Sequence, residues 1–530
     1  MDDSAGVRSA TITLTVNGRP ATVPADGASL LEVLRDRLGL RAAKDGCSPQ
    51  GQCGCCTVLV DGQPRVACVT PAARVAGRSV TTLEGLPGEV RDEWAAALAA
   101  TGGSQCGFCT PGIVTRLAGL GAAAAVKGPL DDAAVGQALL AHVCRCTGWQ
   151  TIEEAARLVA GGGAGRHAPS RDRAGAERRA ALEGRTGQRV DPSVALGAGG
   201  FADDTAPAGA LVAVPAADGG WAVAETLVEA RAAARKVQGR RSTVALGWPL
   251  DLPAGEWART LRTTWVEPAY LEPDATWCAP GGEPASPLGN GGAFGGKVTA
   301  ELGRVARELA DIHGRTTRVL WSREDVVRHG PKRPPIAAGV RADGSGVVRV
   351  VATPGIAAAI HAVAPSLLVE ECAVNGPPTS GDLRAAGWAE AAVLLASLAP
   401  GSPDRVRSPE GATAEAVVDA DGVHVRVRCG QPLDAVVLRS YCIGAAHMAL
   451  GWVRSEGIAV DGEGRVHDLT MRSFGILRAV DTPAVHVEIE PDDAPAVNGS
   501  DAVFAAVAAA AWRHAGHAPQ WPYQRAPGAR

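Results

Sequence analysis

The sequence predicts a multidomain α+β chain, and three observations carry that prediction. Alternating apolar residues and two tight-turn signals mark a small β-grasp domain at the N-terminus, with a Cys-rich loop inside it. Two further Cys pairs then bracket a segment of helical pattern. Beyond a Gly-, Ala- and Arg-rich stretch the pattern turns to mixed α and β as far as the C-terminus. The boundaries this suggests are 1–85, 86–160, a linker over 161–190, then 191–340 and 341–530; the chain's 530 residues suffice for three or four domains.

In the first domain, Thr11 to Val16 alternates Thr with Ile, Leu and Val, Asn17-Gly18 supplies a hairpin turn, and Ala21 to Val23 returns. Ser29 to Leu38 reads as an amphipathic helix with Ser29 as N-cap, apolar at Leu30, Leu31, Val33, Leu34 and Leu38. The loop from Gly46 to Cys56 follows. Thr57 to Val60, the Asp61-Gly62 turn and Arg65 to Val69 form a second hairpin, with Cys68 in its return strand.

Cys106 and Cys109 precede Thr110-Pro111, which reads as a helix start. Ile113 to Ala125 can run out as a helix and Leu130 to Val143 can run back, bringing Cys144 and Cys146 to the first pair. Four thiolates in such a setting bind zinc or an iron–sulfur cluster. Nine of the thirteen Cys precede residue 150, so the metal chemistry belongs there; Cys278, Cys372, Cys429 and Cys442 lack ligand spacing and read as core residues.

A formal charge of −4 gives no reason to expect nucleic acid or an anionic membrane as partner. Met1 to Ala10 lacks the features of a signal peptide, and no stretch approaches the length of a membrane span. Many Cys without a secretory signal point to metal rather than disulfides, and to the cytoplasm.

The loop resembles that of a plant-type [2Fe–2S] ferredoxin, whose spacing is C-x4-C-x2-C…C. Here it is C-x5-C-x2-C-x11-C. The resemblance implies that Cys47, Cys53, Cys56 and Cys68 are ligands and Cys55 a spare thiol. Cys106, Cys109, Cys144 and Cys146 resemble the helical [2Fe–2S] domain that follows it in the xanthine dehydrogenase/aldehyde oxidase family of molybdenum hydroxylases. The pair covers Thr11 to about Ala160. A family member carrying its own flavin domain would place it next, and the linker is too short for one, so FAD is expected on a partner subunit.

Gly291-Gly292-Ala293-Phe294-Gly295-Gly296-Lys297 opens a helical pattern (Val298, Leu302, Val305, Leu309, Ile312) that Gly314 closes. It is similar to the GGxFGxK loop of the family's molybdenum-binding chain, as are Glu272-Pro273 and Ser322-Arg323-Glu324-Asp325. Leu383 to Gly387 resembles its pocket-lining Arg segment, Gln431 to Gly451 its late helix, and Asp461 to Pro483 the strands after it. The resemblance implies two molybdopterin-binding-like domains, with pterin held by Gln105, Gly291, Gly292, Phe294, Gly295 and Gly296. Glu324, Arg384 and Asp501 are then the candidate catalytic residues, and a small heterocycle or aldehyde the substrate class.

The departures bear on function. The family's molybdenum chain is about twice as long as Asp191 to Arg530, and between Arg384 and Gln431 its second Gly-rich cofactor loop has no counterpart. The family's Gly-x-Gly-Glu motif, whose Glu is the general base, is replaced by Asn498-Gly499-Ser500-Asp501. Asp501 is one methylene shorter, and a general base must reach its proton. Two readings follow. The chain is a molybdenum hydroxylase component, completed by another molybdenum-binding subunit, or it is an electron-transfer and assembly subunit with a degenerate molybdenum region.

Overall fold

The structure is a computed structural model, and it describes residues 10–127, 131–162, 171–236, 244–286, 291–297, 300–401 and 403–524. The N-terminal sheet has the strand order Arg19–Pro24, Thr11–Val16, Ser79–Thr81, Thr57–Val60, Gln63–Val66. Thr11–Val16 pairs in parallel with Ser79–Thr81 and antiparallel with its hairpin partner. Both hairpins turn through left-handed pairs, Asn17-Gly18 at φ 51° and 77° and Asp61-Gly62 at 48° and 73°, the twist such two-residue turns require. Ser29 Oγ accepts from Glu32 N–H at 3.1 Å and caps the helix as expected. The helix itself is short: Leu30–Glu32 passes into a π-type turn over Val33–Arg37. Leu30, Leu31, Val33 and Leu34 are buried, and so is Arg35, although it lies outside the apolar set. Arg35 leaves solvent because Asp203 and Asp204 receive it at 2.7 and 2.9 Å.

The helical domain holds Gly88–Thr101, Thr110–Lys127, Asp132–Ala138 and Gln150–Ala160. The return limb is shorter than the pattern suggests. After one 3₁₀ turn over Leu139–Ala141 the chain is extended at His142, and Val143 N–H donates to Cys53 O at 3.0 Å. That bond draws the segment out of helix toward the first domain.

The described part of the expected linker is folded rather than a free tether. It forms the helix Arg173–Gly184, with Arg179 and Glu183 fully buried as an ion pair at 2.9 Å. Residues 163–170 lie outside the described residues.

Among the described residues, three more sheets build the remainder. One runs Trp221–Ala224, Leu211–Pro215, Thr317–Leu320, Ala275–Cys278. A second runs Leu367–Cys372, Gly346–Val351, Ile336–Val340, Arg259–Thr263, Gln520–Trp521. Its Ile336–Val340 and Gly346–Val351 strands form a hairpin, so the boundary expected at 340/341 falls inside one sheet. The third runs Asp404–Arg407, Thr413–Val418, Val423–Arg428, Val485–Ile489. The segment 461–483, expected as strands, holds 3₁₀ turns over Met471–Phe474 and Ala479–Asp481. Cys278, Cys429 and Cys442 are core residues, whereas Cys372 is only half-buried.

One sequence expectation about membranes needs correction. The helix Ala435–Arg454 is long and apolar enough to cross a bilayer, but 89% of its apolar window is buried inside the protein. Its apolarity reflects its central place, packed against Ser500–His514.

Candidate functional site

The first thiol set sits where the loop after the short helix meets the second hairpin. Cys47, Cys53, Cys56 and Cys68 are all buried. Cys68 lies just past its strand, in the turn Ala67–Val69. Cys47 is hydrogen-bonded to Cys53 and Cys68, and Cys68 also to Cys56. Backbone N–H groups point inward: Gln50 and Gln52 donate to Cys47 Sγ at 3.3 and 3.4 Å, and Cys68 donates to Cys56 Sγ at 3.4 Å. Such donors stabilise thiolate charge. A Cβ on Gly46 would lie 3.0 Å from Cys53 Sγ and 3.1 Å from Cys55 Sγ, which is why glycine stands there.

In the second set, Cys106 Sγ lies 3.5 Å from Cys146 Sγ, and Cys109 is hydrogen-bonded to Cys144. The Cys109 thiol, with help from Thr147 Oγ1 at 3.1 Å, brings Cys144 down to about 6. Among the described residues no three His, Cys, Asp or Glu side chains gather around one metal position. A zinc ion asks for four ligands around one centre, about 2.3 Å from each sulfur. A two-iron cluster takes two thiolates per iron. Neighbouring pairs in each set therefore fit [2Fe–2S] clusters, and the donor chemistry suits them.

The two sets are joined by the bond from Val143 N–H to Cys53 O. They touch closely: a Cβ on Gly112 would lie 2.3 Å from Gly54 O. The C-terminal region encloses both. Arg145, between Cys144 and Cys146, makes a two-point ion pair with Glu456, both contacts 2.6 Å. A Cβ on Gly444 would lie 1.7 Å from Cys146 O, so the Ala435–Arg454 helix packs directly on the ligand backbone. Gln50 donates to Leu469 O and accepts from Met471 N–H, at 2.8 and 3.1 Å, and Arg323 donates to Gly46 O at 2.6 Å. Sequence reasoning missed Gln50, Arg145 and Glu456. No local pattern marks them, because their partners lie hundreds of residues away.

The Gly-rich loop is described over 291–297; Leu288, Gly289, Asn290 and Val298 fall outside the described residues. Its glycines face protein. A Cβ on Gly295 would lie 1.9 Å from Asp382 O, one on Gly291 2.7 Å from Glu272 Cβ, one on Gly292 2.8 Å from Arg145 Cβ, and one on Gly296 3.0 Å from Leu383 Cδ2. Lys297 pairs with Glu272 at 2.7 Å in the interior, and burial raises that carboxyl to about 7.

Phe294, Arg384 and Asp501 come together. The Arg384 guanidinium lies over the Phe294 ring, and its Nε donates to Asp501 Oδ1 at 3.1 Å. Asp501 Oδ2 accepts from Arg185, which sits just past the Arg173–Gly184 helix. Glu183 accepts from Gly499 and Ser500 N–H at 3.1 and 2.8 Å, capping the Ser500–His514 helix. Both oxygens of the proposed base are thus held by cations, and an internal carboxylate fills the helix N-terminus, where anions bind best. The cavity beside Arg384 and Met448 measures about 40 Å³. Glu324 is elsewhere, paired with Arg328 at 3.2 Å; among the described residues no hydrogen bond or ion pair joins it to Arg384 or Asp501. Gln105 spends its amide N–H groups on Cys146 O and Ser440 Oγ at 3.0 and 2.9 Å. At the described part of the loop each glycine's Cβ direction is filled by protein, and Lys297 is paired with Glu272.

Residues 14–76 match the model of a 2Fe-2S iron-sulfur cluster binding domain and residues 82–157 that of a [2Fe-2S] binding domain. The xanthine dehydrogenase iron-sulfur-binding subunit of Escherichia coli O157:H7 is 41% identical over 144 residues, covering 27% of this chain and 89% of that protein. The chain belongs to the xanthine dehydrogenase family of molybdenum hydroxylases. The nicotinate dehydrogenase small FeS subunit of Eubacterium barkeri is 34% identical over 152 residues, 28% of this chain and 94% of that one. The aldehyde oxidoreductase of Megalodesulfovibrio gigas is 40% identical over 153 residues, but they make up only 16% of its length. The family likeness in sequence is therefore carried by the iron–sulfur region. In structure it extends further: the aldehyde oxidoreductase of Desulfovibrio desulfuricans ATCC 27774 superposes with a TM-score of 0.68 at 15% identity, over 94% of this chain and 97% of that one. That shows a shared fold for the C-terminal region. This member of the family is an oxidoreductase chain with two [2Fe–2S] electron-transfer domains.

Proposed function

We propose that the chain is an electron-transfer subunit whose molybdenum-type region has become a closed scaffold around the clusters. Asp501 carries this reading, because it is held by Arg384 and Arg185 where a free base is needed. The eight Cys of the two sets are the ligands, and Cys55 is spare. [2Fe–2S] clusters accept and release single electrons. The chain's own part is to bury the thiolates, donate backbone N–H bonds to them, and join the two sets through Val143 and Cys53. Electrons reach the cluster at Cys106 and leave from the one at Cys47 to a flavin-binding partner. The naming of two relatives as subunits supports such a partner. The thiol-rich chain belongs in the cytoplasm.

The convergence of Phe294, Arg384 and Asp501 favours the other reading, a hydroxylase chain holding molybdopterin. Metal analysis of the purified protein separates the two. The scaffold reading expects about four irons per chain with molybdenum at background. Stoichiometric molybdenum overturns it.

A further inference from the structure

The sheet that ends with Val423–Arg428 and Val485–Ile489 carries two histidines side by side on its exposed face. His424 and His486 are register partners on these adjacent parallel strands, so both rings stand on one face. Both are exposed, His424 by 45% of its side chain. The rings stack with centroids 4.8 Å apart and 16° between their planes. Asp419 Oδ1 stands 3.5 Å from His424 Nε2. The N–H groups of Asp421 and Gly422 donate to that oxygen at 2.9 and 3.2 Å and fix it in the turn before His424. His486 has the His424 ring as its contact and, among the described residues, no hydrogen bond or ion pair.

Imidazole suits zinc, copper and nickel, which it binds through the lone pair of the neutral ring. A ligating His commonly gives its other ring N–H to a carboxylate. Asp419 on the Nε2 side therefore leaves Nδ1 of His424 for a metal. Two nitrogens held by one ion at about 2.1 Å stand ~3 Å apart, so the rings need only tilt toward each other about χ2, a broad torsion. Charge favours a cation. In the next row of the same face Arg405, Glu415, Arg426 and Glu488 lie side by side, and Glu490 stands 3.5 Å from Arg426. With Asp419, these carboxylates outnumber the two guanidiniums. We propose that His424 and His486 chelate one divalent metal ion of the late first row, with water completing its coordination. The ion bridges the two strands. Val485, beside His486, exchanges two hydrogen bonds with the Gln150 side chain at 2.8 and 3.1 Å, and Gln150 opens a helix of the second thiol domain. The clip thus fastens the sheet where it holds that domain.

Nickel(II) is the probe, titrated by calorimetry into the untagged, iron-loaded full chain. The unaltered chain is expected to bind one equivalent through this pair. His424→Gln and His486→Gln keep a polar side chain at exposed strand positions. Each is expected to weaken that binding roughly 100-fold, the advantage of a second tethered ligand. The double variant is expected to add little, because a single remaining imidazole no longer chelates. Nickel is also expected to raise the thermal midpoint of the unaltered chain by mass action and to leave that of either variant in place. Iron content is expected to stay constant throughout. No nickel binding by the unaltered chain, binding undiminished in either variant, or losses that add independently in the double variant each overturn the inference. Iron released as nickel binds places the nickel at the cysteines and overturns it as well. None of these outcomes depends on molybdenum content or electron transfer, so they leave the proposed function to its own test.

Discussion

The Sγ atoms of Cys106 and Cys146 lie 3.5 Å apart, although forty residues of chain separate them. Gln105 on one side and Arg145 on the other fix both ends of that contact. The two thiol sets lie on separately built domains, so Cys106→Ser is expected to remove one [2Fe–2S] EPR signal and leave the other. Loss of both signals would mean that the sets do not assemble independently.

Cys55 makes a sharper test of the first set. It is buried next to Cys53, yet it falls outside the ferredoxin-like ligand pattern. Cys55→Ser is expected to leave both EPR signals and the iron content unchanged. A lost cluster would show that the extra residue between Cys47 and Cys53 has shifted the ligand set.

What the sequence made legible was local. The hairpins at Asn17-Gly18 and Asp61-Gly62, the Ser29 cap and the Cys spacing each depend on a few neighbouring residues, and each is present in the fold. Long-range pairings were not legible. Nothing in Arg173 to Arg185 announces that Glu183 caps a helix starting at Ser500, or that Arg185 holds Asp501. A Gly- and Ala-rich stretch reads as linker because small residues are also what close packing demands. The Gly-rich loop carries the same ambiguity. Its glycines are required by Asp382, Glu272 and Arg145 pressing on them, and the sequence alone cannot tell that from space kept for a ligand.

The pH dependence of stability has a traceable component at His447. Burial lowers its pKa from 6.5 to about 4, and its Nε2 faces Leu477 O at 3.1 Å. Between those values the unfolded chain binds the proton and the folded chain does not. The contribution is therefore complete above pH 6.5 and is lost as pH falls toward 4, at about 1.36 kcal/mol for each pH unit between the two values. Glu272 works in the opposite sense. Its pKa rises from 4.5 to about 7, so its contribution is complete below pH 4.5 and is lost as pH rises toward 7. Urea unfolding of His447→Leu at several pH values is expected to show a shallower loss of stability from pH 6.5 to 4 than the unaltered chain. An identical slope would place the acid sensitivity elsewhere.

Arg145 and Glu456 are exposed by only 3% and 2% at their side chains. Glu456→Gln leaves a buried guanidinium short of its counter-charge, and breaking such a pair costs about 3–5 kcal/mol. The expected outcome is a lowered thermal midpoint with a broadened EPR signal from the Cys106 cluster, while the Cys47 cluster signal keeps its shape. An unchanged midpoint would mean that water reaches the pair.

Asp501 offers the test that decides what the C-terminal region does. If the closed site were an active one with a short base, Asp501→Glu would lengthen the reach and raise turnover, since general base catalysis is worth roughly 10²–10⁴-fold. The geometry argues otherwise. Arg384 holds one carboxylate oxygen and Arg185 the other, so a longer side chain must give up or distort these contacts and strains a packed cluster. Asp501→Glu is expected to leave xanthine and aldehyde oxidation at background and to lower stability. Asp501→Ala is expected to destabilise more, because Arg384, 3% exposed, keeps its charge without a partner. Arg185 is 32% exposed and can turn to water, so its share of that loss is small. Replacing the buried pair together, Arg384→Met with Asp501→Leu, is expected to recover much of the loss, as apolar replacements of buried pairs do. Denaturation midpoints of these three variants, read beside turnover with xanthine and an aldehyde, separate a structural ion pair from a catalytic one. Turnover that appears with Asp501→Glu and vanishes with Asp501→Ala would identify Asp501 as a working base and overturn the scaffold reading.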